Sequence, residues 1–298
     1  MDEGSAVEVL QRHGKTFRYA QRLLGRRRGG AIARLYRFCR YIDDLADEHG
    51  DVEVSRRKLG SLLDELDNRS AHDSIVRDFL VLADQWGLDL RRGKELVRGV
   101  MGDLDTVTIA DEPELMRYCF HVAGTVGLMM CPLLGAAPSG MPFAVDLGIG
   151  MQLTNIARDI HADAVQQRRY LPGQWVKEIS AEKIVSAGAK ERILVIDGIR
   201  RLLDLAEVYY ASGMNGLVYL PLRSRISIAV AATTYREIGV KLRRHGCKWW
   251  QGRVSTTGLE KTRLAAITAC SQVLLLHRPP PVHDRSLHRY IDDLVNPS

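Results

Sequence analysis

Apolar residues recur every three or four positions through most of the chain, which is the spacing of one face of an α-helix. The first such window holds Val7, Leu10, Phe17, Ala20 and Leu24. Alternation of apolar and polar residues, which is typical of a half-buried strand, is scarce. The pattern therefore predicts a nearly all-helical protein.

Glycine and proline interrupt the helical pattern at intervals and mark helix ends. The breaks near positions 29–30, 50, 87, 113, 138–142, 173 and 188 predict about ten helices. None of these breaks is long enough for a domain linker, and no repeat of fixed period is present. We expect one all-α domain over residues 1–298, in which the proline-rich end, residues 278–298, is loosely packed.

Composition is that of a globular protein, because 298 residues with 46% hydrophobic content can fill a sizeable core. The longest apolar stretch, residues 124–137, is short for a membrane span and contains Pro132. The first residues are acidic where a signal peptide is basic, and the five cysteines show no CxxC or zinc-site spacing. A cytoplasmic protein without a disulfide framework is expected.

The net charge of +6 favours an anionic partner, which could be nucleic acid, an acidic membrane face or a diphosphate. The basic residues of the chain lie in small clusters without interleaved aromatic residues or a nucleic-acid-binding motif. We therefore expect no nucleic acid partner, although charge alone does not choose between the remaining two.

One polar stripe lies in the sequence YRFCRYIDDLADE. Tyr36, Arg40, Asp43 and Asp47 occur at i, i+4, i+7 and i+11, so a helix places them on one face. Its neighbour Asp44 lies about 100° around the helix and either joins the edge of this face or orients Arg40.

The sequence MQLTNIARDIHADA carries a second stripe. Gln152, Asn155, Asp159 and Asp163 occur at i, i+3, i+7 and i+11 and again share a face. His161 falls on the opposite side of this helix and is expected at the surface.

Each stripe carries two carboxylates one helical turn apart, which suits a hard cation such as Mg²⁺ bound together with phosphate oxygens. Arg40 and Arg158 could donate hydrogen bonds to the same diphosphate. The alternative is that the acids simply face water, which is the more common reason for a single acidic pair. Two pairs, both flanked by apolar residues, favour buried polar stripes that need partners.

Two long motifs carry a resemblance to a known family. The form YxxCRxxDDxxDE is present from Tyr36 to Glu48, and QLxNIxRDxxxDxxxxRxYLP from Gln152 to Pro172. The chain resembles the squalene/phytoene synthase family in both. This resemblance implies an isoprenoid-synthase-type helical bundle with a central cavity, in which the two motifs face each other and bind diphosphate through Mg²⁺ or Mn²⁺.

The resemblance also implies residue roles. Residues 118–130 are similar to the family's central helix, HGKTF at 13–17 is similar to an N-terminal HSKSF element, and GRVST contains a matching arginine. The implied metal ligands are Asp43, Asp47, Asn155, Asp159 and Asp163. Arg40, Arg158 and Tyr118 join the four aspartates as catalytic residues. The implied substrate-binding residues are His13, Thr16, Phe17, Tyr36, Val122, Val126, Gln152, Asn155, Tyr235 and Arg253.

The implied reaction joins two isoprenoid diphosphates head to head through a cyclopropylcarbinyl diphosphate. The segments YCFHVAGTVG, QLTNIARD and HRPPP resemble those of bacterial phytoene synthases. This resemblance implies that the substrate is geranylgeranyl diphosphate and that the product is phytoene, a carotenoid precursor. It also implies that no nicotinamide cofactor is needed. Two alternatives stay open: a synthase of dehydrosqualene, presqualene diphosphate or squalene that uses farnesyl diphosphate, and a non-catalytic subunit of the same fold. Transient contact with the inner membrane face is expected because the product is a hydrocarbon.

Overall fold

The computed structural model describes residues 15–47, 51–274 and 279–296, with side chains described over 24–46, 51–272 and 279–296. This part of the chain is an all-helical single domain, as predicted, and its one β-bridge joins Thr108 to Arg169. The α-helices are α1 Lys15–Asp47, α2 Val52–Asn68, α3 Ser74–Trp86, α4 Leu90–Gly102, α5 Glu112–Cys119, α6 Thr125–Leu134, α7 Met141–Val165, α8 Gly173–Val176, α9 Ala181–Val185, α10 Ala189–Asn215, α11 Leu222–Arg244, α12 Gly258–Leu274 and α13 Asp292–Val295.

Short helical turns of other types connect several of these helices. A π-helical turn, Phe120–Gly124, joins α5 to α6. Turns of 3-10 helix are Pro138–Gly140, Gly216–Tyr219, Trp249–Gln251 and Arg285–His288. Within the described ranges, no helix is long and apolar enough to cross a bilayer.

Helix ends follow local chemistry. Aspartates 51, 73, 89 and 111 accept hydrogen bonds from the first backbone N–H groups of α2, α3, α4 and α5, which have no partner inside their helices. Gly87 and Gly135 end α3 and α6 in the left-handed region that glycine tolerates. The break predicted near positions 29–30 is wrong: that pair lies inside α1, and the chain kinks instead at Gly25, where φ is 76°.

The core has two parts that meet at α6. One surrounds α7 and α10 and includes Leu153 and Ile199, and the other surrounds α1 to α4. In the second, the rings of Phe38 and Phe79 stack with centroids 3.7 Å apart. Because α7 contacts α6, α9, α10, α11 and the π-helical turn, it is the central helix of the domain.

Helices α6 and α7 approach each other backbone to backbone. A methyl group added at Gly127 would overlap the carbonyl oxygen of Ala144, and one added at Gly148 would lie against the carbonyl oxygen of Ala123. Backbone contact of this kind requires glycine, because any side chain would push the helices apart. The two glycines therefore set the distance of α7 from α6 and from the π-helical turn that precedes α6.

The end of the chain, residues 279–296, which we call the C-terminal strap, returns across the domain. Ile291 is fully buried, and Arg92 on α4 donates hydrogen bonds to the carbonyl oxygens of Leu294, at 2.7 Å, and Val295, at 3.0 Å. The sequence predicts a loosely packed end over 278–298, but His288 and Ile291 in the described part are buried in the domain. The difference arises because the strap's partners lie far away along the chain.

We expect Gly127→Ala to destabilise the domain by about 1–3 kcal/mol, because the added methyl group overpacks a rigid backbone contact. The matched control is Gly60→Ala in α2, where nothing lies within 4 Å of the added methyl group. This control should be stabilised by about 0.5–1 kcal/mol, since alanine is the better helix former. Thermal unfolding of both variants checks the pair, and equal shifts would contradict the close approach.

Candidate active site

The two polar stripes meet in one cavity. Helix α1 contributes Arg40 and Asp43, and α7 contributes its stripe to a space of about 310 Å³. The lining residues are Arg40, Asp43, Ala46, Val100, Asp103, Tyr118, Gln152, Asn155, Ile156, Arg158, Asp159, Asp163, Arg168 and Tyr170. We call this the polar cavity. The structure thus brings together eight residues that sequence reasoning placed in one site.

Four other predicted site residues are described only in part or not at all. His13 lies outside the described residues. Thr16, Phe17 and Asp47 lie in α1, but their side chains are outside the described set. The roles predicted for these four residues stay predictions.

Asp159 is shared by two guanidinium groups. Arg158 Nε donates to Oδ1 at 3.0 Å, and its Nη2 lies 2.5 Å from Oδ2. Arg253, on the loop before α12, approaches with Nε 2.9 Å from Oδ1. The segment after α11 is thereby tied to the centre of the site, although Arg253 itself is 65% exposed.

Asp44 belongs to Arg40 rather than to the centre of the cavity. Its Oδ1 lies 2.5 Å from Arg40 Nη2 in an i,i+4 pair. Of the two readings left open by the sequence, the pair favours the one in which Asp44 orients Arg40. His161 is exposed, as its position on the helix predicts.

Sequence reasoning missed Asp103, which lies directly after α4. Tyr118 donates its hydroxyl proton to Asp103 Oδ2 at 3.0 Å, and its ring stacks on Tyr170 with centroids 4.7 Å apart. Burial raises the pKa of Tyr118 well above its usual value, so the phenol keeps its proton. Asp103 is a single acid in a loop and has no periodic partner, whereas Arg168 and Tyr170 belong to the motif that ends at Pro172 and could have been found from it.

A buried oxygen atom without a hydrogen-bond donor shows whether the polar cavity fits a cation. Asn155 Nδ2 donates to Gln152 Oε1 at 3.3 Å, but Asn155 Oδ1 is buried and accepts no hydrogen bond. Such an acceptor is costly to bury unless a donor or cation meets it. The oxygen donors of Asn155 and of Asp43, Asp159 and Asp163 form the type of set that Mg²⁺ prefers, so the residues fit the ion.

The carboxyl group of Asp163 is strongly perturbed. Burial and then the negative charge of Asp159 raise its pKa from 3.8 to about 7. Two carboxylates on successive turns of a buried helix repel each other, and positive charge placed between them relieves this repulsion.

A second, apolar cavity of about 260 Å³ continues from the polar one. Val122, Val126 and Tyr235 line it, as do α7 residues from Phe143 to Asn155. Leu128, Met129 and Leu153, on the same two helices, do not line this cavity and pack in the core. Gln152 and Asn155 line both cavities, so a polar site opens directly onto an apolar one.

Two tyrosines, Tyr36 and Tyr235, lie near the junction. Burial raises the pKa of Tyr36, and the positive charge of Arg40 partly opposes this rise. Tyr235 and the carboxylate of Asp43 are close enough to raise it further. The π-helical turn places Ala123 on the apolar cavity immediately after the Tyr118 helix, and such turns commonly occur at functional sites.

Comparison with known proteins identifies the family. The squalene/phytoene synthase family model matches residues 10–260, most of the chain. The chain belongs to the squalene/phytoene synthase family. It is 33% identical to a 15-cis-phytoene synthase of Pantoea ananas, over 93% of this chain and 95% of the relative, and 33% identical to a phytoene synthase of Pseudescherichia vulneris, over 86% and 87%. A crystal structure of a dehydrosqualene synthase shares the fold, with a TM-score of 0.81, 24% identity and coverage of 91% and 96%. The protein is accordingly a head-to-head prenyltransferase of this family.

We expect Asp163→Asn to stabilise the protein in the presence of a chelator, and more so at pH 8 than at pH 5. Between about pH 4 and 7 the folded state holds a proton on Asp163 that the unfolded chain releases. The contribution of the Asp163 carboxyl to the free energy of unfolding is therefore lost as the pH rises through that range. The amide of Asp163→Asn stays neutral and avoids this loss. The melting temperatures of the wild type and of Asp163→Asn at both pH values measure this stabilisation. Asp197→Asn, at an exposed carboxylate, is the control. A melting-temperature difference between Asp163→Asn and the wild type that does not depend on pH would contradict the raised pKa of Asp163.

Proposed function

We propose that this synthase condenses two molecules of geranylgeranyl diphosphate to phytoene through the cyclopropylcarbinyl intermediate prephytoene diphosphate. One observation carries the proposal: the polar cavity, rich in carboxylates and arginines, opens at Gln152 and Asn155 into an apolar cavity. A molecule with a diphosphate head and a long hydrocarbon tail matches both environments. Similarity to several phytoene synthases supports the choice of product.

Metal binding is assigned to the oxygen donors of the polar cavity. Asp43, Asn155, Asp159 and Asp163, with Asp47 added from the motif, would hold Mg²⁺ or Mn²⁺. When bound, the ion neutralises the diphosphate and makes it a better leaving group. Arg40 and Arg158, which border the same cavity, donate hydrogen bonds to phosphate oxygens.

In the first half-reaction the C1–O bond of the donor breaks, and its electron pair leaves with the diphosphate. The C2=C3 double bond of the acceptor then attacks C1, and loss of a proton closes the three-membered ring. The walls of the apolar cavity, including Val122 and Val126, keep water from the cation. Arg158 holds the Asp159 carboxylate in place throughout.

In the second half-reaction the remaining C–O bond breaks, the ring opens by rearrangement, and a proton leaves to form the central double bond. Two diphosphates and two protons leave in total, so no hydride is required and no nicotinamide is expected. We assign a proton-accepting role to Tyr118: its oxygen takes a proton while its own hydroxyl proton moves to Asp103 Oδ2, 3.0 Å away.

A membrane partner follows from the product, which is insoluble in water. Exposed apolar side chains on α12, Leu259 at 84% and Ile267 at 58%, are interspersed with the basic Lys261 and Arg263. Such a surface suits transient contact with an anionic membrane, and it supports peripheral binding during product release.

Purified protein with Mg²⁺ should convert geranylgeranyl diphosphate to phytoene and release two diphosphates per product. Extracted hydrocarbons and released diphosphate are measured after incubation with geranylgeranyl or farnesyl diphosphate separately. A product formed only from farnesyl diphosphate would overturn the substrate assignment and favour dehydrosqualene, presqualene diphosphate or squalene.

Asp159→Asn should lower kcat at least about a hundredfold, because one change removes a charged ligand and the partner of Arg158 and Arg253. Asp197→Asn is the matched control, since Asp197 is a surface carboxylate that also pairs with an arginine, Arg200. Full turnover by Asp159→Asn would contradict the assignment of Asp159 as a metal ligand. Absence of turnover in the wild type with either substrate would favour a non-catalytic subunit.

A further inference from the structure

Helix α7 runs the length of both cavities. Asn155 lies at the junction with the polar cavity, and Phe143 lies at the opposite, distal end of the apolar cavity. Twelve residues separate them, which corresponds to about 18 Å along the helix axis at 1.5 Å per residue. The apolar cavity thus has a length that can be compared with that of a substrate.

The ring of Phe143 forms part of the wall at this distal end. Phe143 lines the cavity, yet only 4% of it is exposed, because other groups cover its remaining surface. Tyr219 lies beside it with ring centroids 5.7 Å apart. The imidazole of His283, on the C-terminal strap, meets the Phe143 ring edge to face at 5.0 Å. The strap therefore backs the wall of the cavity.

A buried carboxylate fastens the strap at this point. Asp146, one turn along α7 from Phe143, has no exposed surface. Its Oδ2 lies 2.8 Å from His283 Nε2 and 2.5 Å from Ser212 Oγ, and its Oδ1 lies 2.8 Å from His288 Nε2. Tyr219 adds a hydrogen bond from its hydroxyl to the carbonyl oxygen of Pro281 at 2.6 Å.

We propose that the C-terminal strap, fastened to Asp146, sets the length of the prenyl chain that this enzyme accepts by holding Phe143 at the distal end of the apolar cavity. The proposal rests on the proposed function, because it concerns the prenyl chain that lies along α7. His283 and His288 act here as positioning residues. Phe143 is the residue that meets the end of the chain.

Chain lengths agree with this arrangement. With C–C bonds of about 1.5 Å at tetrahedral angles, an extended farnesyl chain spans about 14 Å and a geranylgeranyl chain about 19 Å. The distance of about 18 Å along α7 matches the longer chain. One isoprene unit adds about 5 Å, close to the rise of one helical turn, so one turn of α7 corresponds to one unit.

Ala144 is the position at which the cavity can be shortened. It lines the apolar cavity directly beside Phe143, and its small side chain leaves the last turn open. Phenylalanine at this position fills that turn. Leucine at Phe143, or loss of the two imidazoles, has the opposite effect and opens the distal end.

The experiment measures kcat/KM with Mg²⁺ for the C15, C20 and C25 prenyl diphosphates in four variants. Ala144→Phe should lower the ratio of kcat/KM for the C20 diphosphate to kcat/KM for the C15 diphosphate at least about tenfold. The added ring takes the space of more than one methylene group of the longer chain. Phe143→Leu and the double variant His283→Gln/His288→Gln should raise the C25 to C20 ratio by a similar factor. The control is Val282→Ser, on the same strap with 96% of its surface exposed, which should leave both ratios unchanged.

A second readout is independent of turnover. Melting temperatures are measured with the unreactive thiodiphosphate analogues of the three chain lengths, and the order of stabilisation should change in parallel with the ratios. Unchanged ratios and unchanged order in folded variants would overturn the role of the strap. A wild type that turns over none of the three diphosphates would contradict the proposed function, while the order of analogue binding would still decide whether Phe143 and the strap set the chain length.

Because Ala144→Phe fills space and Phe143→Leu empties it, the two variants do not share a cause of misfolding. A merely structural strap would lower the melting temperature of the double histidine variant without changing its preference for chain length. A changed C25 to C20 ratio is the result that a structural role does not produce.

Discussion

Carboxylates on a helix that is otherwise buried are the constraint on which the rest of the structure depends. Helix α7 lies at the centre of the domain, and its second half carries Asp159 and Asp163 away from bulk water. Charges in such a place need compensation from neighbours. Arg158 and Arg253 supply it for Asp159, whereas Asp163, with its pKa raised to about 7, stays short of positive charge. The site is thus electrostatically prepared for cations and folds at a cost to its own stability.

The first half of α7 meets a different requirement. It has to border a space large enough for a hydrocarbon chain while remaining part of a close-packed core. Backbone contact at Gly127 and Gly148 brings α6 and α7 together along one edge, and the π-helical turn before α6 places Ala123 on the cavity. Small residues, among them Gly127, Gly148 and Ala144, line the opening, so it is produced by small side chains as well as by helix geometry.

Sequence reasoning could predict whatever repeats within one helix. The stripes through Asp43 and Asp159 follow from spacing alone, because 3.6 residues per turn fix which side chains share a face. The same argument placed His161 at the surface. Asp103 and the kink at Gly25 were missed, since one acid in a loop and one glycine among several have no periodic pattern. Contacts between distant segments, such as the one between Arg253 and Asp159, could be predicted only from the family resemblance.

The C-terminal strap shows why that limit matters for function. Its histidines and proline-rich start look like an irregular end, and Asp146 in the sequence is one more acid on an apolar helix. Only the fold brings the three side chains together, across 137 and 142 positions of the chain. A buried carboxylate that accepts from two imidazoles and a hydroxyl is a strong and directional fastening, because each lost donor leaves a buried acceptor unpaired. Placed behind Phe143, it makes the far end of the chain part of the wall that a substrate touches. In this chain, the prenyl length that is accepted can therefore depend on a segment that contains neither acidic motif.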